Sequence, residues 1–549
     1  MSTTASQRYL STRGGSSGLS FENVVLKGLA EDGGLFIPEQ IPSLPSDWSS
    51  RWRDYSYEQL AYEIFSLYLN SSEIPENDLK DIISRSYSTF RTKEISPLVL
   101  LDQRKDLYLL ELFHGVSYSF KDVALQMLGN LFEYFLVRKN HGKAGQPRDH
   151  LTIIGATSGD TGSAAIYGLR GKADLSIFML HPEGKVSDVQ AAQMTTVLDS
   201  NVHNVSIEGT FDDCQDIVKA LFADAQINRT HKLGAVNSIN WARILAQMVY
   251  YFYSYFSLLR SPGYDDTKGI RYVVPSGNFG DILAGWFAKK MGLPCSRLSI
   301  ATNQNDILHR FMTTGTYAKK PVHGIDANGG MPEDGVKADP SGVQMTLSPA
   351  MDILVSSNFE RLLAFLAFDF YSGKSNPDMK TKLHIGRSQV TQWLQDLKTT
   401  GGFAVDPAIL AAAQEDFSSE RVNDTETIHM IQLAYAAFFP KISNSEGTTG
   451  KTGGYILDPH SAVGIAASLR TPSSTEHTIS LATAHPAKFA AAVDEALHEK
   501  DGFDFDKVKP KQLKDLESMP RKVEAIGRDN AFKKVKSLII ERIPASGNV

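Results

Sequence analysis

Cysteine is scarce in this chain. Cys214 and Cys295 are the only two among 549 residues, and they stand far apart. That excludes a disulfide-built scaffold and a multi-cysteine zinc site, and it fits a reducing compartment. Long apolar runs are also missing. "YYFYSYFSLL" (250–259) and "FFP" (438–440) are aromatic-rich but fall short of the roughly 20 residues a membrane span needs, so buried helix is the better reading. Neither sign of charge dominates. The formal net charge is −6, and the basic residues are scattered rather than striped, so neither nucleic acid nor an anionic membrane surface is an expected partner. The opening "MSTTASQRYLSTRGG" lacks the apolar core of a secretory signal. Its Ser, Thr and Arg without acid faintly resemble a transit peptide, but "LSFENVVLKGLAEDGGLFIP" follows at once and reads as folded structure. Cytoplasm is the expected compartment. Neither G-x-G-x-x-G nor G-x-x-x-x-G-K-[ST] follows a strand, which weakens dinucleotide and P-loop readings.

What is present is a globular composition, 42% apolar and 21% charged, on a chain too long for one core. Residues 20–93 read as a mostly helical unit. "YEQLAYEIFSLYL" (57–69) repeats its apolar positions with helical spacing. From 150 onward, strands alternate with helices. "LTII" (151–154), "SIFML" (176–180), "VHNVSI" (202–207), "RYVVP" (271–275) and "RLSIAT" (297–302) read as strands. "DDCQDIVKALFADA" reads as a helix capped by Asp212. This alternation predicts an α/β fold with parallel sheets flanked by helices, in which ligands bind at the carboxyl ends of strands. Residues 314–348 and 442–454, rich in Gly and polar residues, read as long loops, the first a candidate lid. The charged, amphipathic tail from about 500 reads as an outer helical layer.

Two turns directly after strands carry the chemistry. "GATSGDTG" (155–162) and "PSGNFG" (275–280) each join a strand to a helix N-terminus, where backbone N–H groups and the helix dipole favour an anion. One such turn is equally well a tight β–α connection that needs glycine; two in one parallel architecture favour an anionic ligand. In "ELFHGVSYSFKDVALQMLGNLFEYFL" (111–136), Lys121 opens an apolar helix. A lysine there is ordinarily a solvated end residue. Beside a phosphate cradle it is also the amine that a Schiff base to pyridoxal phosphate requires.

"FHGVSYSFKD", "GATSGDTGSAA", "NSINWARILAQ", "PSGNFGD" and "TAHPAKF" together resemble the threonine synthase family, and "YLSTRG…GLAEDGGLFIP" resembles its fungal and bacterial branch. The resemblance runs over most of the chain. It implies a fold type II pyridoxal-phosphate enzyme, a carbon–oxygen lyase converting O-phospho-L-homoserine and water to L-threonine and phosphate, working as a monomer or small homo-oligomer. It further implies an N-terminal domain over 1–95, a catalytic region of two α/β subdomains over 96–500 and a helical extension over 501–549. Lys121 would bind the cofactor covalently and move protons once the substrate amine displaces it. Gly277, Asn278, Phe279 and Asp281 would hold the cofactor phosphate, and Thr483, after the strand "TISLA" (478–482), would face the ring nitrogen. Ser158, Gly159, Asp160 and Thr161 would receive the substrate carboxylate and the ring oxygen. Asn237, Ser238 and Arg243 would meet the substrate phosphate, with Asn237 and Ser238 as N-cap types and Arg243 one to two turns further in. No metal is implied.

Two carboxylates stand awkwardly in this scheme. Asp160 occupies a position where related enzymes often carry Asn, and would repel the substrate carboxylate. Either its side chain turns away and only its backbone serves, or it is protonated. Asp281 beside a phosphate raises the same objection, which a purely backbone contact would remove. His460 of "DPHSAVG" reads as a structural histidine. Other fold type II lyases are the nearest rivals, and Arg243 counts against them because their substrates need no distal phosphate site. A catalytically dead metabolite-binding relative would keep the loops without needing Lys121.

Overall fold

Six strands form the larger of two sheets, in the spatial order Phe417–Arg421, Arg297–Thr302, Gly269–Pro275, Glu476–Ala482, Leu107–Glu111, Leu98–Asp102. All neighbours are parallel except the last pair. Five strands form the smaller sheet, in the order Glu524–Ile526, Val202–Ile207, Leu175–Pro182, Leu151–Ala156, Leu233–Gly234, all parallel. The central strands of both sheets are buried along almost their whole length. That is why they read as continuous apolar runs rather than alternating ones. This computed structural model describes residues 7–157, 159–319, 342–373, 379–437 and 454–543. Most of the two expected long loops, the "FFP" stretch and Ser158 therefore lie outside the described residues. Among the described residues, no helix is long and apolar enough to cross a membrane.

The N-terminal unit has a two-stranded antiparallel sheet, Tyr9–Ser11 with Phe36–Pro38, and helices Phe21–Lys27, Tyr57–Tyr68 and Glu76–Tyr87. Ser56 caps the second of these helices, and Gln59 answers as the other half of a capping box. Its apolar face packs on helix Trp241–Leu259, which is buried almost throughout. The aromatic stretch 250–259 belongs to that helix, as its composition suggests.

Two expectations need correction. Helix Phe211–Ala223 is capped by Thr210, not Asp212; Thr210 and Asp213 form a reciprocal capping box. The tail is not helix alone. Glu524–Ile526 adds a strand beside Val205–Ile207, and helix Ala531–Arg542 covers the small sheet through Val535 and Ile539.

One crossing fixes the site. Helix Lys121–Lys139 meets helix Asp160–Leu169 at Gly129 and Gly168. A Cβ on Gly129 would run into the Gly168 carbonyl, and one on Gly168 would lie 2.6 Å from the Leu125 carbonyl. Only glycine lets the two backbones touch here, and the contact sets Lys121 and Asp160 side by side.

Candidate active site

Three neighbouring strands of the large sheet deliver their carboxyl ends to one place. Leu107–Glu111 leads into the loop before Lys121, Glu476–Ala482 ends at Thr483, and Gly269–Pro275 leads into "SGNFG". The smaller sheet contributes the turn after Leu151–Ala156 that opens helix Asp160–Leu169. The ends are tied together by backbone. Phe120 N–H donates to the Thr483 carbonyl at 2.8 Å, His485 N–H to Tyr118 at 3.1 Å, and Thr483 N–H to Ser461 Oγ at 3.1 Å. Thr483 is itself buried, and its carbonyl is bonded to the residue before Lys121.

Lys121 is no solvated helix end. It is 9% exposed, and burial brings its amine down to about 8, aided by Lys488 and Arg243 and opposed by Asp160 and Asp122. Its Nζ lies 3.9 Å from Asp160 Oδ2. The other oxygen, Oδ1, receives Lys488 Nζ at 2.7 Å and Gln190 Nε2 at 2.9 Å. Burial alone would raise the Asp160 carboxyl; the ammonium groups of Lys488 and then Lys121 overcome this and hold it well below the usual carboxylate range. The lowered carboxyl argues against a protonated Asp160 and leaves its backbone N–H as the group that could meet a substrate carboxylate. Its side chain points into the site and is ionised, because two lysines neutralise it. An ionised side chain whose Oδ1 is held by Lys488 and Gln190 would repel a substrate carboxylate rather than receive it.

Gly159 caps that helix at φ 141°, and a Cβ there would strike the Gln190 amide. Thr157 Oγ1 accepts from the N–H groups of Gly159 and Gly162, both at 2.9 Å. Thr161, in the first turn, is half-buried.

The second turn is a cradle without a cap. Phe279 stands before helix Gly280–Met291 in the left-handed region, φ 61°, and no side chain caps the helix. Its first N–H groups are the free donors an anion needs. A Cβ on Gly277 would lie 2.9 Å from the Ala350 carbonyl, so this backbone passes close to its neighbour. Asp281 does not face the cradle with its charge. Tyr250 and Tyr251 donate to its Oδ1 at 2.5 and 2.9 Å, while burial pushes its carboxyl up to about 6 against those two donors.

Arg243 departs most from the expected geometry. Helix Trp241–Leu259 starts three residues later than an Asn237 cap and two later than a Ser238 cap would have it, with Asn240 as its N-cap; the Asn240 amide also reaches the Val25 carbonyl. Arg243 thus lies in the first turn. Its side chain is 4% exposed, yet Nε and Nη1 have no partner among the described residues. Burial lowers its guanidinium to about 10. A buried cation without an anion is costly unless a ligand brings one. Asn237 is exposed, and its Oδ1 accepts the Ile239 N–H at 3.3 Å. Ser238 Oγ lies 3.2 Å from Ser357 Oγ, which donates to Asn278 Oδ1 at 3.2 Å. Ser357 therefore joins the segment before helix Trp241–Leu259 to the turn 275–280. His460 holds Asp458 Oδ1 through Nδ1 at 2.9 Å and accepts the Ala350 N–H at 3.1 Å through Nε2, the structural role expected of it.

Three family models cover most of the chain: Threonine synthase N terminus over 8–87, Pyridoxal-phosphate dependent enzyme over 94–353, and Threonine synthase, C-terminal, over 461–539. Threonine synthase of Schizosaccharomyces pombe is 51% identical over 501 residues, 90% of each chain. The chain belongs to the threonine synthase family. A crystal structure of threonine synthase from yeast superposes with a TM-score of 0.87 at 48% identity, covering 98% of this chain and 99% of that one. A structure of PLP-bound threonine synthase from Brucella melitensis gives 0.80 at 37% identity, with coverage of 98% and 99%. Family membership makes the chain a fold type II, pyridoxal-phosphate-dependent lyase of the last step of threonine biosynthesis. The residues present fit that cofactor: a buried amine brought down to about 8 and an uncapped helix N-terminus follow neighbouring segments of the large sheet.

Lys488, Gln190, Ser357 and the Tyr250–Tyr251 pair escaped the sequence reading. Only Lys488 carried a signal, standing inside "TAHPAKF" just after Thr483.

Proposed function

We propose that this threonine synthase acts on O-phospho-L-homoserine, adding water to give L-threonine and releasing phosphate, with Arg243 as the receptor for the phosphate that leaves. The observation that carries the reading is the Arg243 guanidinium, buried beside Lys121 and without an anion among the described residues. A γ-phosphate supplies the missing charge, and the planar fork of arginine matches its oxygens. Substrates of other fold type II lyases, which carry no distal anion, would leave that cation unpaired.

Lys121, Thr483 and the N–H groups of Gly277, Asn278, Phe279 and Asp281 would hold the cofactor. When bound, the cofactor supplies an electron sink for deprotonation next to the amino group. Lys121 Nζ, released by the substrate amine, takes and returns protons. Its place near neutrality suits both directions, since an amine brought down to about 8 carries both forms in useful amounts. The backbone N–H groups of Asp160 and Thr161 would receive the substrate carboxylate, because the Gly159 N–H is held by Thr157 and the Asp160 side chain faces lysines. Arg243, Ser238 and Asn237 stabilise the charge that grows on the departing phosphate. With both cysteines free, the chain fits a reducing cytoplasm.

Phosphate release from O-phospho-L-homoserine, with threonine identified as co-product, tests the reading. Release of ammonia or a keto acid instead, without stoichiometric phosphate, would overturn it.

A further inference from the structure

Lys488 is a fully buried lysine with two fixed bonds. From the short helical turn after Thr483 it reaches Asp160 Oδ1 at 2.7 Å and the Ser117 carbonyl at 2.8 Å. Ser117 N–H in turn donates to Asp122 Oδ2 at 2.8 Å, in the helix that Lys121 begins. Lys488 thus bridges the start of helix Asp160–Leu169 and the loop before Lys121, and is linked through Ser117 to the helix that Lys121 begins.

The geometry on Asp160 is asymmetric. Oδ1 accepts from both Lys488 and Gln190 within hydrogen-bond range, whereas Lys121 stands 3.9 Å from Oδ2. That separation gives Coulomb attraction without a hydrogen bond. A lone buried carboxylate beside Lys121 would instead draw the ammonium into contact and keep it protonated, useless as a base. We propose that Lys488 is a positioning residue of the reaction: it takes up the Asp160 charge and holds that carboxylate back, so that Lys121 remains free to exchange its proton.

The charged groups around Lys121 are consistent with this division. Lys488 and Arg243 push its amine toward neutrality; Asp160, and Asp122 on its own helix, pull the other way. His460 also faces Asp160 as a minor influence. Removing Lys488 deletes one of the two opposing cations and releases the stronger of the two anions, so both changes act in the same direction. The proposal rests on Lys121 being the working amine, as argued above.

The test reads the Lys121 amine directly. The full-length chain, freed of cofactor, is labelled with trace acetic anhydride across pH 6–11, and the Lys121 peptide is quantified by mass spectrometry. Wild-type labelling should rise through a midpoint near pH 8. Lys488→Met should move the midpoint upward by about one pH unit, roughly tenfold less labelling at pH 7.5. Lys488→Arg should stay near wild type, and adding Asp160→Asn to Lys488→Met should bring the midpoint back down. The acid limb of kcat/KM in the holoenzyme should shift with the labelling midpoint. If Lys488→Met only lowers thermal stability and leaves the midpoint where it was, Lys488 is a structural cross-link and the proposal is wrong. Should Lys488→Met not fold, Lys488→Gln, which keeps a donor and drops the charge, carries the same expectation and the same refutation. Failure of the cofactor assignment would look different: Lys121→Ala would retain the borohydride-fixed chromophore whatever the midpoints do.

Discussion

Phe120 donates its backbone N–H to the carbonyl of Thr483 across 2.8 Å. The residue before the working lysine is therefore stitched to the residue assigned to the ring nitrogen. Neither can shift without the other, which is how an active site assembled from distant segments keeps its geometry.

Lys121→Ala should abolish covalent cofactor attachment. Borohydride treatment should fix the chromophore on wild type but not on the variant, and turnover should fall by about a thousandfold or more. A variant working at near wild-type rate would sink the assignment.

Arg243→Met should separate stability from activity. Replacing a buried, unpartnered cation by an apolar side chain should stabilise the cofactor-free chain by about 1–4 kcal/mol, read as a higher urea midpoint. The same change should lower kcat/KM for O-phospho-L-homoserine by about ten- to a hundredfold, the worth of about 1.5–3 kcal/mol in a charged hydrogen bond. Arg243→Lys should recover part of the loss, and cofactor affinity should hold in both. Weaker cofactor binding with intact kcat/KM would mean that Arg243 serves the cofactor phosphate instead.

Asp281→Asn should flatten part of the pH dependence of stability. The carboxyl is raised from the ordinary 3.8 to about 6, so its folded form favours the proton. Its contribution is complete below about pH 4 and is lost as pH rises through about 6. Wild type should therefore lose up to about 3 kcal/mol over that window from this group, and the asparagine variant should not. Unfolding in urea at pH 4.5 and 7.5 measures both. Parallel pH slopes in the two proteins would contradict the burial argument.

Gly129→Ala should destabilise by about 1–3 kcal/mol or more, because its methyl meets a backbone carbonyl that cannot step aside. Activity should fall as well, since the crossing it disturbs holds Lys121 against Asp160. A fully active variant of unchanged denaturation midpoint would show that the helices can part at little cost.

The strands and their glycine turns were legible in the sequence because they are local. Val202–Ile207 and Arg297–Thr302 coincide with the apolar runs that announce them. What escaped was set by partners remote in sequence. "NSIN" offers several competent caps, and the choice of Asn240 is fixed by its reach to Val25 in the N-terminal unit. The charge of Asp160 depends on Lys488, and the orientation of Asp281 on two tyrosines of another helix. Strand Glu524–Ile526 is too short to show a period, and exists because the edge at Val205–Ile207 accepts it.

Strand Glu476–Ala482 lies between Leu107–Glu111 and Gly269–Pro275, inside the large sheet, yet it is nearly the last strand to leave the ribosome. A nascent chain has therefore made Lys121 and both anion loops long before the piece that joins them. Until residues 476–488 emerge, the sheet is split and its two inner edges lie open to other strands. Closing the gap brings together contacts of very large sequence separation, a slow step. Cofactor loading should accordingly wait for the end of synthesis, and a ribosome-stalled chain lacking those residues should stay colourless in pyridoxal phosphate.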